Sequence, residues 1–149
     1  MTKNYQKILL AVDFHKDNAS VVETAKNMAE LYGATLMLAH VFEPVGMAYA
    51  SNGVHWGNEI YDLEASIRSE GEKKLKVMAA EIGINDSDCH LLEGRAASEI
   101  HNFCKENSVD LVILGTHGQH GVQLLLGSTA NSVLHNSPCD VLAVRIKKD

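Results

Sequence analysis

Leu111-Val112-Ile113-Leu114 is an apolar run with no polar position in it. A strand wetted on one face alternates apolar and polar residues. An unbroken run belongs to a central strand covered on both faces, the mark of a parallel sheet flanked by helices. Short, mostly apolar runs stand at Lys7 to Val12, Ala34 to Val41, Cys89 to Leu92 and Asp140 to Ile146. Between them, apolar residues recur at helical spacing: Val21, Ala25, Met28 and Tyr32, then Ile60, Leu63, Ile67, Leu75, Met78 and Ile82. Ile100, Phe103 and Cys104 form a third stripe, and Ala130, Val133 and Leu134 a fourth. Ser20 with Glu23 is a capping-box signature, and Gly33 and Gly83 stand where the first two helices should stop. Strands alternating with helices predict an α/β fold. It is a single domain over residues 1–149, an open parallel five-stranded sheet of order 3-2-1-4-5 with helices on both faces.

The formal charge of −6 argues against a protein that coats nucleic acid or an anionic membrane, since neutralising many phosphates needs a basic face. Cys89, Cys104 and Cys139 show no CxxC spacing and suit reduced thiols, Cys104 and Cys139 as small buried side chains. No apolar stretch reaches membrane length, and the N-terminal run is too short for a signal peptide. A soluble cytoplasmic protein is expected.

In an open parallel sheet, ligands sit beyond the carboxyl ends of the strands, where neighbouring connections leave in opposite directions. With order 3-2-1-4-5 that point lies between the first and fourth strands, which end at Asp13 and Gly115. Gly115, Gly118 and Gly121 follow the fourth strand, and Gly127-Ser128-Thr129 leads into the last helix. Glycines let backbone N–H groups approach an anion, so strand, glycine loop and helix start make a plausible phosphate cradle. Asp13 can hold a ribose hydroxyl or a Mg²⁺ ion brought with the nucleotide, or it can cap the helix that follows. Val41 ends the second strand and can line a base pocket or simply belong to the core.

His15, His40, His117 and His120 lie near the same sheet edge. An HxxH pair on a glycine-rich turn lacks the fixed helical spacing that makes HExxH persuasive, so a protein-only metal site is not expected. No GxSxG elbow offers a serine nucleophile, and no cysteine sits in a convincing nucleophile turn. Glu43 to Asn58, with Pro44, Met47, Tyr49 and Trp56, is a loop too long to be a mere connector. It reads as a lid, a partner surface or a segment folded onto the body.

The segments KILLAVDFHKDNASVVETAKNMAELYGATLMLAHV and VDLVILGTHGQHGVQLLLGSTANSVLHNSPCDVLAVR resemble the universal stress protein family, whose fold is adenine-nucleotide α-hydrolase-like. The resemblance spans nearly the whole chain. It implies a cytoplasmic, homodimeric stress-response regulator, of a kind that in some members binds ATP and in others does not. ATP-binding members carry G-x-x-G, nine residues, then G-S or G-T. Here Gly115-Thr116-His117-Gly118 and Gly127-Ser128 match, with eight residues, Gln119 to Leu126, between them. Carried over by position, the family's nucleotide contacts fall on Ala11, Val12, Asp13, Val41, Gly115, Thr116, His117, Gly118, Gly127, Ser128 and Thr129. No catalytic residue is implied, and with no arginine near the loop, ATP hydrolysis should be slow at most. The fifth strand, Val141-Leu142-Ala143-Val144, has an apolar edge of the kind that pairs with a second copy. The competing expectation is a homodimeric interaction module with a vestigial crevice, which the shortened loop favours.

Overall fold

The apolar runs form the strands of one sheet. The computed structural model describes residues 3–14, 18–44, 58–116 and 128–146. The strands are β1 (Lys7–Ala11), β2 (Thr35–Phe42), β3 (Cys89–Glu93), β4 (Leu111–Gly115) and β5 (Asp140–Val144). They lie in the order β3-β2-β1-β4-β5 with every neighbouring pair parallel, as the alternation predicted. The described residues hold four α-helices: α1 (Ala19–Tyr32), α2 (Asn58–Ile82), α3 (Ala96–Asn107) and α4 (Ser128–Leu134).

Successive side chains of a strand point to opposite faces, so each interior strand feeds two cores. In β1, Ile8 and Leu10 join Val21, Ala25, Leu75 and Ala79 under α1 and α2. Leu9 points the other way, toward Ile100, Phe103 and Cys104 of α3 and Ala130 and Val133 of α4. Ile8, Leu9 and Leu10 are all fully buried, each contributing about 1.5–3 kcal/mol of transfer free energy.

The helix ends follow local chemistry. Gly33 adopts the left-handed conformation at φ 62° and its N–H returns to the Ala29 and Glu30 carbonyls, while Gly83, at φ 91°, ends α2. The expected capping box at Ser20 is not formed. Helix α1 starts one residue earlier, at Ala19, with Asn18 at its N-cap position and no side-chain cap. The Asn18 amide instead donates to Asp13 Oδ1 at 3.4 Å. At α3, Glu43 Oε1 accepts the N–H of Ala96 at 3.1 Å, so a carboxylate from the end of β2 satisfies a donor of the first helical turn.

Two aspartates stitch the amino ends of the strands. Asp110 Oδ2 accepts the N–H groups of Gln6 (2.8 Å) and Lys7 (2.9 Å), tying the approach to β1 to that of β4. Asp140 Oδ2 accepts from the Tyr5 hydroxyl at 2.8 Å and pairs with Lys3. The Lys3 hydrogen bond, seconded by Tyr5, holds the Asp140 carboxyl below its ordinary value.

Some apolar stripes are only partly used. Leu75 and Ala79 of α2 are buried, but Leu63 and Ile67, expected on the same inward face, are 51% and 40% exposed. Leu134 is also exposed, because α4 ends there and only Ala130 and Val133 reach the core. Cys104 is buried as expected, whereas Cys139 is half-buried.

Gly115 closes β4 where no side chain fits. A Cβ built there would lie 2.5 Å from Ile146 Cδ1 and 3.3 Å from both Ile146 Cγ1 and Val21 Cγ2. Replacing Gly115 with alanine should therefore cost about 1–3 kcal/mol by overpacking. Adding Ile146→Val, which removes the obstructing methyl, should recover part of that loss. Urea denaturation of the single and double variants measures both effects; a Gly115→Ala protein as stable as wild type contradicts this packing.

Candidate functional site

The carboxyl ends of β1 and β4 are where the chain changes direction. Helix α1, which follows β1, covers the face with Ile8 and Leu10, and α4, which follows β4, covers the face with Leu9. The two strands are neighbours, with Leu10 opposite Ile113. The helices that follow them lie on opposite faces of the sheet, the arrangement in which ligands of open parallel sheets sit beyond the strand ends.

On the β1 side, Ala11 is half-buried against the α3–α4 core and Val12 is 7% exposed in the other. The Val12 N–H donates to the Ala39 carbonyl at 2.9 Å, which continues the strand one residue beyond β1. Its carbonyl accepts a hydrogen bond from His40 Nδ1 at 2.7 Å. Asp13 is exposed, one oxygen accepting from Asn18. Phe14 has φ 62°, a left-handed conformation that a non-glycine residue seldom adopts, so the chain bends sharply just after Asp13. The Phe14 ring lies 4.2 Å from the His40 ring at a tilt of 39°, and the Lys74 ammonium sits 5.9 Å from the Phe14 ring centre.

His40 thus pins the turn that presents Asp13. The sequence groups it with His15, His117 and His120, but its Nδ1 bonds to a carbonyl, and those three lie outside the described residues. No group of three metal-binding side chains gathers among the described residues. Burial pushes the His40 imidazole below its ordinary value, against the opposing pull of the Val12 carbonyl and the Asp13 charge. The ring is therefore neutral at pH 7, with its one proton on Nδ1 shared with Val12 and Nε2 left as an acceptor.

Val41 is half-buried near the end of β2 and packs against the α3–α4 core. On the β4 side, Gly115 ends the strand with Ile146 filling its side-chain space, and Thr116 is locked to β5. The Thr116 N–H donates to the Val144 carbonyl at 2.9 Å, and its Oγ1 accepts the Ile146 N–H at 3.2 Å. Ser128 and Thr129 open α4 and are exposed. His117, Gly118 and Gly127 lie outside the described residues, as does most of the Glu43 to Asn58 loop. The strand ends thus gather Ala11, Val12, Asp13, Val41, Gly115 and Thr116. The residues that sequence reasoning missed are His40 as a positioning group, Phe14 and Asn18. A polar residue interrupting the run Leu36 to Val41 was the available signal for His40.

The model of the universal stress protein family matches residues 4–145. Universal stress protein A homolog 2 of Coxiella burnetii is 41% identical over 146 residues, covering 97% of both chains. Among solved structures, the hypothetical protein MJ0577 superposes with a TM-score of 0.78 at 23% identity, covering 97% of this chain and 99% of that one. A universal stress protein in complex with cAMP superposes with a TM-score of 0.59 at 21% identity, over 95% and 98% of the two chains. These two likenesses are of fold.

The depressed His40 titration has a consequence for stability. Well above the ordinary value of 6.5 the imidazole is neutral in the folded and unfolded chain alike. Below that, the unfolded chain takes up the proton first, so stability falls as pH falls. His40→Asn, which keeps a donor near the Nδ1 position, should lose less stability than wild type between about pH 7 and pH 5. Urea titrations at several pH values check this; a wild-type-minus-variant difference that does not change with pH contradicts the assignment.

Proposed function

The chain belongs to the universal stress protein family, and from that premise we propose that it binds an adenine nucleotide, ATP, in the crevice between β1 and β4. It acts in the cytoplasm as a stress-response regulator with little or no turnover. The observation that carries this reading is the reversal of direction between β1 and β4, with an exposed carboxylate, Asp13, presented at it by a fixed turn. The Val12 and Asp13 backbone and Val41 take the base and ribose. Gly115 to Gly118, Gly127, Ser128 and Thr129 take the phosphates, and Mg²⁺ enters only with the nucleotide, beside Asp13. A fold relative captured with cAMP supports an adenine nucleotide as the ligand class. No helix of the described residues is long and apolar enough to cross a membrane.

The second reading, a homodimeric interaction module, has its own observation. Strand β5 is the sheet edge and pairs only with β4 among the described residues. The Val144 carbonyl and Asp140 N–H face β4, so by alternation the backbone groups of Val141 and Ala143 face outward. An apolar edge whose outward backbone groups meet no strand among the described residues fits pairing with a second copy across a two-fold axis.

Isothermal titration with ATP, ADP and AMP, with and without magnesium, separates the readings. ATP should bind with a dissociation constant in the micromolar range, about −8 kcal/mol. Gly127→Val, which blocks close backbone approach, should abolish that binding. No heat at millimolar ATP overturns the nucleotide reading. For the edge, light scattering should find a dimer in wild type and a monomer in Ala143→Pro, which removes an outward N–H and leaves the β4 ladder intact. A monomeric wild type, or a dimer that survives the proline, contradicts pairing through β5.

A further inference from the structure

Two of the three cysteines, far apart in sequence, meet beneath the sheet. Cys104 lies on α3, 2% exposed, in the core of Leu9, Phe103 and Val133. Cys139 immediately precedes β5, half-buried, and packs against that same core. Both side chains thus border the same apolar core, and each is the largest influence on the other's titration. A tight turn fixes Cys139: its N–H donates to Ser137 Oγ at 3.3 Å, and the Ser137 hydroxyl donates to the Cys139 carbonyl at 2.7 Å. Ser137 Oγ is also 4.0 Å from Cys139 Sγ.

We propose that Cys139 and Cys104 are a peroxide-responsive thiol pair, Cys139 the attacking sulfur and Cys104 the resolving one, closing to an intramolecular disulfide. The asymmetry follows from position. Cys139 is the member a small oxidant can reach, and Cys104 is buried in the core that Cys139 packs against. Interaction with Cys104 lowers the Cys139 thiol below its ordinary value, and interaction with Cys139 raises Cys104, with Ser137 adding to the effect at Cys139. Burial and the Asp140 and Asp110 charges oppose it at Cys139 without reversing it. Cys89 is an internal control. Burial raises its thiol, and its Sγ donates to the Leu75 carbonyl at 3.8 Å on the other face of the sheet.

The chemistry needs a hydroperoxide as oxidant. The Cys139 thiolate attacks one peroxide oxygen; an S–O bond forms, the O–O bond breaks, and the other oxygen leaves with a proton as an alcohol or water. Sulfur is oxidised by two electrons to the sulfenic acid as the peroxide is reduced. The Cys104 sulfur then attacks Cys139, forming the S–S bond, breaking S–O, and releasing water with the Cys104 proton. The new S–S bond is about 2.05 Å long. The product ties α3 to the residue that starts β5.

The test uses the whole wild-type chain and hydrogen peroxide at neutral pH. Before oxidation, iodoacetamide should label Cys139 roughly tenfold faster than Cys89. After stoichiometric peroxide, intact mass should fall by two hydrogen atoms, and peptide mapping should find Cys104 joined to Cys139 with Cys89 still free. In Cys104→Ser, dimedone should trap the sulfenic acid on Cys139; in Cys139→Ser, Cys104 should stay reduced. Cys139 labelling no faster than Cys89, or peroxide leaving both thiols free, overturns the proposal. So does a disulfide that involves Cys89 or joins two chains. The wild-type mapping decides the matter even if either serine variant fails to fold.

Discussion

The fold depends on β1 being apolar on both faces. Ile8, Leu9 and Leu10 expose nothing to water, and together they contact every layer: α1 and α2 through Ile8 and Leu10, α3 and α4 through Leu9. A strand so placed must be central, with parallel neighbours on each side, β2 and β4. Right-handed crossovers then send the chain to one face when it builds toward β3 and to the other when it builds toward β5. The switch of direction between β1 and β4 is therefore a by-product of burying both sides of one strand.

The two ends of the sheet are finished differently. At the amino ends, Asp110 and Asp140 absorb backbone and side-chain donors from the residues leading into β1, which holds the strands in register. At the carboxyl ends, the polar groups point outward: Asp13, Ser128 and Thr129 are exposed. What rigidity exists there comes from the second layer. His40 holds the Val12 carbonyl, Phe14 packs on His40, and Thr116 binds both Val144 and Ile146. Strand ends braced from beneath and polar above are suited to holding a ligand without rearranging.

The strands were legible because a doubly covered strand leaves an unbroken apolar run, as Leu111 to Leu114 does, and the helix stops because Gly33 and Gly83 sit where only a left-handed residue closes the turn. The cap of α1 was misread because an Asx or Ser pattern does not say where the side chain turns; Asn18 turns to Asp13, a partner fixed by tertiary structure. Leu63 and Ile67 look like core by spacing, but periodicity cannot tell how far along α2 the sheet extends beneath them. Gly115 was legible only as a glycine that lets backbone amides approach an anion; that Ile146 fills its side-chain space is fixed by packing and leaves no trace in the spacing. The His40 bond to Val12 joins two strands, and the core shared by Cys104 and Cys139 joins residues far apart in the chain; one chain read end to end carries no record of either.

The central claim is that the ends of β1 and β4 form an adenine-nucleotide site. Backbone amide chemical shifts recorded while ATP and magnesium are added test it most directly. The account predicts movement at Val12, Asp13, Val41, Thr116, Ser128 and Thr129, with Lys26, Gly83 and Ile84 at the opposite end of the sheet unmoved. Shifts confined to that opposite end, or none anywhere at saturating ATP, would contradict it.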